Sequence, residues 1–153
     1  MDLKEREYQE VHIPYGKGSL TAQIERKRIE WVLDEKPHPA IDIQQELLKV
    51  LDHPTGCKPL AQLIIDKNPR SVLILVDDNT RATPQHLILP ILINALIDLG
   101  MQHKDIHIMV CLGTHRPLSS EEMRERVGEE VYQRCRCFNL PTNGDDFIDY
   151  GIT

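Results

Sequence analysis

From Val72 onward, apolar positions alternate between short solid runs and longer helical stripes. Val72–Val76, VLILV, is rich in branched side chains and too short for a helix, which predicts a strand buried on both faces, as inside a parallel sheet. It ends abruptly at Asp77 and Asp78 and opens into the polar loop Asn79–Pro84. The run from His86 to Gly100, HLILPILINALIDLG, is apolar almost all round and predicts a helix covered on two sides, with Pro90 kinking or restarting it and Gly100 as a left-handed cap. Ile106–Leu112, IHIMVCL, predicts a second buried strand. A strand, a helix of this length and a strand make a βαβ unit, whose right-handed crossover sets the two strands parallel in one sheet.

The flanking segments complete the outline. Val11–Ile24 holds two alternating runs around a Pro-Tyr-Gly-Lys-Gly turn and predicts a hairpin. Strand character continues over Ile29–Leu33, with Trp31 as a core or edge anchor, until Pro37, His38 and Pro39 break it. Ile41–Leu51 carries helical spacing with Asp42 as cap, and Pro59–Asp66 starts a second short helix at its proline. Ser119 and Glu122 have capping-box spacing, Gly128 follows that helix, and a turn around Val131 leads to a strand over Cys135–Leu140. A turn over Pro141–Asp145 precedes a strand-like end, Phe147–Thr153. The expected class is α/β: a parallel or mixed sheet with helices on both faces, built from Rossmann-like βαβ units and preceded by an amino-terminal β-hairpin.

Composition narrows the function. The chain of 153 residues carries a net charge of -6, which gives no footprint for nucleic acid, since phosphate-backbone binding needs clustered Lys and Arg. Nothing in it approaches the ~20 apolar residues of a membrane span, and its first residues lack a secretory signal, so a cytoplasmic protein without a membrane partner is expected. Cys57, Cys111, Cys135 and Cys137 match no metal or disulfide spacing and are expected to be free thiols that fill structure. The histidines other than His115 share no metal-ligand spacing, so no metal site is expected within this chain.

Chemistry concentrates at two loops. Open α/β sheets bind ligands outside the carboxyl ends of their strands, and both Asp78–Arg81 and Gly113–Pro117 (GTHRP) are expected on that edge. Arg81 offers a fixed, charged fork for a carboxylate or phosphate, and the start of the following helix adds positive potential. The plain alternative is that Asp78 caps the helix and Arg81 pairs with Asp77 or Asp78. His115 carries an imidazole, the side chain suited to proton transfer near neutral pH, held between Gly113 and Pro117. Its plain alternative is a solvated loop histidine, against which its expected convergence with Arg81 argues.

Between Pro14 and Pro117 the chain carries, in order, PYGKGSLTAQI, LDHPTGCKPL, DDNTRATP with ILP soon after, and GTHRP. These motifs in register resemble the amino-terminal part of the nickel-dependent lactate racemase family, whose members racemise or epimerise 2-hydroxy acids. The resemblance implies a nickel pyridinium-3,5-bisthiocarboxylic acid mononucleotide cofactor. In that family the cofactor takes a hydride from the carbinol carbon while a histidine takes the hydroxyl proton. A flat 2-oxo acid then receives the hydride on its other face. By resemblance, Asp78, Asn79, Thr80 and Arg81 are the segment that binds the cofactor nucleotide, Arg81 also binds the substrate carboxylate, and His115 is one of two acid/base histidines.

The family's second histidine, its tethering lysine, its nickel ligand and its carboxy-terminal domain have no counterpart here. Residues 1–153 are therefore expected to be an amino-terminal domain of a longer two-domain protein, inactive and without cofactor when alone, whose partners are a small 2-hydroxy acid and the missing domain. Two other functions stay open: an anion or nucleotide-phosphate binding domain without catalysis of its own, and an assembly domain, should neither loop face a cleft.

Overall fold

The structure, a computed structural model, describes residues 7–16, 18–33 and 39–141. Pro37, His38, the turn residues after Pro141 and the strand expected over Phe147–Thr153 lie outside the described residues. The chain divides into two compact units, Met1–Ala40 and Ile41–Thr153.

The first unit is the expected hairpin. β1 (Tyr8–Tyr15) and β2 (Gly18–Glu25) pair antiparallel with Val11 opposite Ala22 and Ile13 opposite Leu20. Gly16 turns the chain at φ 58°, a left-handed conformation that glycine adopts without steric cost. The strand expected at Ile29–Leu33 does not form. Instead Arg26–Arg28 is a 3-10 turn that Glu25 ties down, accepting from Arg28 Nε at 3.1 Å and pairing with Lys27 Nζ at 3.0 Å, and the residues after it are irregular. Trp31 is 70% exposed, so it is not the core anchor expected of it among the described residues. A two-stranded ribbon has too little apolar surface to bury it.

The second unit is a helix-covered parallel sheet. α1 (Ile43–Asp52) starts where Asp42 Oδ1 accepts from Gln45 N at 3.0 Å, and α2 (Leu60–Lys67) follows Pro59. Then come β3 (Val72–Asp77), α3 (Gln85–Asp98), β4 (Ile106–Cys111), α4 (Ser120–Val127), α5 (Glu129–Arg134) and β5 (Arg136–Asn139). The sheet order is β3-β4-β5, all parallel, with Val76 opposite Val110 and Val110 opposite Asn139. α3 runs unbroken through Pro90, contrary to the expected restart. Pro90, the sixth residue, lies inside the helix, where it lacks the N–H that would bond the carbonyl four residues back. Gly100, at φ 95°, closes the helix as expected: its N–H reaches Ile97 O at 2.9 Å and Met101 N–H reaches Leu96 O at 3.0 Å.

One face of the sheet is the core. Ile106, Ile108 and Val110 are fully buried beneath Leu89, Ile93 and Leu96 of α3, Met123 and Val127 of α4, and Val131 of α5. Both crossovers step across the sheet in the same direction, so right-handedness puts their helices on the same side. α1 packs across α3, which accounts for the nearly continuous apolar surface of that helix. On the other face of β3, Leu73 and Leu75 are 51% and 59% exposed, so among the described residues the strand is covered on one face rather than two. All four cysteines are free, and burial pushes the Cys137 thiol up to about 11, with Cys135 beside it acting in the same direction.

Candidate functional site

The carboxyl ends of β3 and β4 deliver the two expected loops to one edge of the sheet. After β3, Asp78 turns inward and closes a tight loop on Thr80: its Oδ1 accepts from Thr80 N at 2.9 Å and from the Thr80 hydroxyl at 2.6 Å. Asp78 therefore does not cap α3, whose first residue follows Pro84 without a side-chain cap. After β4, Gly113 takes φ 56° and allows the turn in which His115 N donates to Leu112 O at 2.9 Å.

These two turns meet. His115 Nδ1 hydrogen-bonds Asp78 Oδ2 across the strand ends. The Asp78 side chain is 4% exposed and that of His115 is 46% exposed, so a buried anchor carries an accessible ring. The Thr80 hydroxyl, the His115 ring and the Thr80 N–H hold the Asp78 carboxyl well below the usual carboxylate range. An ionised carboxylate only accepts, so Nδ1 carries the shared hydrogen, which in a neutral ring makes Nε2 the acceptor. That is the tautomer a general base needs.

Arg81 does not fall into the ion pair that a loop arginine could have made. Among the described residues its guanidinium has no hydrogen-bond or ion-pair partner. Asp77 is taken by Arg126 of α4 and by Thr83 Oγ1 and Gln85 Nε2, each at 2.5 Å. Burial pushes the Asp77 carboxyl up, but the hydrogen bonds from Thr83, Gln85 and Arg126 outweigh it and leave the group below its ordinary value. Among the described residues no hydrogen bond joins Arg81 to His115; their loops are joined through Asp78.

Three positioning residues escaped the sequence. Arg126 spans the first loop, donating from Nε to Asp77 O at 3.2 Å and from Nη1 to Arg81 O at 3.0 Å. Glu122 takes a two-pronged pair from Arg116, at 2.6 and 2.8 Å, and accepts from Asn79 Nδ2 at 3.3 Å, which ties both loops to the start of α4. Arg116 and then the Ser119 N–H hold the Glu122 carboxyl down to about 2. Asn139, at the end of β5, accepts from Leu118 N at 3.0 Å and donates to Leu118 O at 2.9 Å, pinning the chain just after GTHRP. Only the Ser119–Glu122 capping box was visible beforehand; the cross-strand roles depend on register.

Of the residues expected to hold a nucleotide, Asp78 has both oxygens engaged and Asn79 donates to Glu122, while Arg81 stays available at the loop surface. The available donors suit the anionic group of a mononucleotide. Among the described residues no three His, Cys, Asp or Glu side chains cluster as a metal site. No helix among them is long and apolar enough to cross a membrane.

Fold and site together define an α/β domain whose strand ends carry a histidine oriented by a buried carboxylate and, on the neighbouring loop, an arginine with no side-chain partner among the described residues. The chain belongs to the lactate racemase N-terminal domain family, whose model matches residues 15–152. It is 32% identical over 124 residues to a lactate racemase of Lactiplantibacillus plantarum, covering 79% of this chain and 28% of the relative. It is 27% identical over 126 residues to a lactate racemase of Thermoanaerobacterium thermosaccharolyticum, covering 80% of this chain and 29% of the relative. Its fold matches the structure of the lactate racemase apoprotein from Thermoanaerobacterium thermosaccharolyticum with a TM-score of 0.72 and 23% identity, over 90% of this chain and 31% of that one. The chain thus spans less than a third of the length of these relatives.

Proposed function

We propose that the chain is the amino-terminal domain of a 2-hydroxy-acid racemase or epimerase, whose carboxy-terminal domain completes the active site. The hydrogen bond that Asp78 makes to His115 carries this reading, because it orients a half-exposed imidazole through Nδ1 on the same sheet edge as the loop of Arg81, an arginine suited to a carboxylate. Arg81 binds the substrate's carboxylate, and Nε2 of His115 takes the proton from the hydroxyl oxygen of one enantiomer and, in the reverse direction, gives it back as that enantiomer re-forms. Asp78 keeps the ring in that tautomer and stabilises the imidazolium that forms, as the buried carboxylate does in serine-hydrolase triads.

A nickel-pincer mononucleotide, when bound, supplies the hydride acceptor that inversion at a carbinol carbon requires. In this chain Arg81 would hold its anionic part, and nickel ligands would come from outside the described residues. Inversion also needs a proton-transfer group on the opposite face, a role we assign to the carboxy-terminal domain, so racemisation is expected of the complete protein.

The test is racemisation of D- and L-lactate and a panel of other 2-hydroxy acids by the complete protein loaded with the nickel cofactor. His115→Ala is expected to lower kcat by about 10²–10⁴, the usual contribution of a general acid or base. Wild-type turnover in that variant would remove His115 from the mechanism. The available Arg81 also fits a domain that only holds an anion. In that case Arg81→Ala abolishes phosphate binding by the isolated chain, His115→Ala leaves it intact, and no 2-hydroxy acid turns over.

A further inference from the structure

One guanidinium holds both ends of the first loop. Arg126, in the last turn of α4, is 11% exposed at its side chain and makes every one of its described bonds to residues 77 and 81. Its Nη2 pairs with Asp77 Oδ1, its Nε meets Asp77 O, and its Nη1 meets Arg81 O. The loop brings two carboxylates and one arginine into five consecutive positions, Asp77 to Arg81. Left to itself, such a segment would neutralise itself, with Arg81 folding onto a neighbouring acid. Asp78 is protected from this by its burial and by Thr80 and His115. Asp77, with a side chain 35% exposed, is held by Thr83, Gln85 and Arg126, and among its described side-chain partners Arg126 is the cation that balances its charge.

We propose that Arg126 is a positioning residue that keeps Arg81 open for ligand. By neutralising Asp77 it removes the internal carboxylate that would otherwise compete with the carboxylate of a 2-hydroxy acid, and by holding the Arg81 carbonyl it fixes where that arginine leaves the loop. This role presupposes that Arg81 holds the ligand's anionic group. A guanidinium can do both at once, because its fork reaches a carboxylate and two carbonyls, whereas keeping Asp77 from capturing Arg81 needs only the positive charge.

The direct readout is the rate at which phenylglyoxal labels Arg81 in the folded chain, followed by peptide mass spectrometry. Arg126→Gln is expected to slow that labelling at least threefold, because Asp77 captures Arg81. Adding Asp77→Asn to Arg126→Gln is expected to restore the rate to within twofold of wild type. A purely structural clamp would not be rescued by removing the charge it clamps, so a double variant as slow as the single overturns the proposal, as does unslowed labelling in Arg126→Gln. Should Arg126→Gln melt without cooperativity, Arg126→Lys decides: it keeps the charge without the fork and should label Arg81 at the wild-type rate, and threefold slowing overturns the proposal. The role of Arg81 itself is judged separately, by the lactate KM of the complete, cofactor-loaded protein. A tenfold rise in Arg81→Met supports the anion-holding role, whereas an unchanged KM overturns it and with it the ligand half of the proposal, while the labelling contrast still judges the link between Arg126 and Asp77.

Discussion

The carboxylate of Asp78 accepts a hydrogen bond from Nδ1 of His115, 37 positions further along the chain, with Asp78 buried and His115 half-exposed. The two residues follow neighbouring parallel strands whose register sets Asp77 beside Cys111, so the sheet itself brings their loops together. The buried acid orients the ring, which stays half-exposed.

Asp78→Asn should keep the loop but lose the tautomer, because an amide can donate to Nδ1 as readily as accept from it. In the isolated chain, ¹⁵N chemical shifts of the His115 ring are expected to change from a predominantly Nδ1–H form to a mixture. In the complete, cofactor-loaded protein kcat for lactate should fall at least tenfold with KM little changed. An unaltered ring spectrum in the variant would show that Asp78 does not set the tautomer.

Acid should act on the tie between the two loops through Glu122. Its folded-state value, about 2, lies below the ordinary value of 4.5, so its ion pair with Arg116 stabilises the fold above about pH 4.5 and is lost as pH falls through about 2. Glu122→Gln should therefore lower the melting temperature most near neutral pH, and the gap to wild type should close between about pH 4.5 and pH 2. A gap independent of pH would mean that the charge contributes nothing.

Asn139 has both ends of its amide bonded to the Leu118 backbone. Asn139→Ala leaves a buried N–H and carbonyl at Leu118 without those partners, at a cost of about 1–3 kcal/mol in urea unfolding. Faster hydrogen exchange at the Leu118 amide should accompany it. A stability loss with unchanged exchange at Leu118 would point to packing instead.

The core face of β4 is the part of the sheet with no exposure to lose. Ile108→Ala removes a fully buried side chain beneath the helices and should cost about 2–5 kcal/mol in chemical denaturation. Leu75→Ala, on the exposed face of β3, should cost far less in the same measurement. Equal losses at the two sites would mean that the outer face of β3 is covered in solution.

Features set by neighbours a few residues away were legible from the sequence. The Asp42 cap, the Ser119–Glu122 capping box, the Gly100 helix end, the hairpin turn and the β3-α3-β4 unit all follow from short-range hydrogen bonding and periodicity. The right-handed crossover of that unit is enough to bring Asp78–Arg81 and GTHRP to one edge of the sheet.

Pairings over long separations belonged to the tertiary structure. Register alone decided that Asp78 meets His115, that Arg126 reaches back 49 positions to Asp77, and that Asn139 locks Leu118. Coverage was decided there as well. An apolar run such as Val72–Val76 signals burial but does not say which face is packed, and that depended on both crossovers falling on one side, leaving Leu73 and Leu75 outward. Trp31 is the same lesson in the hairpin: its character was readable, but burial needs a neighbouring surface, which local sequence does not specify.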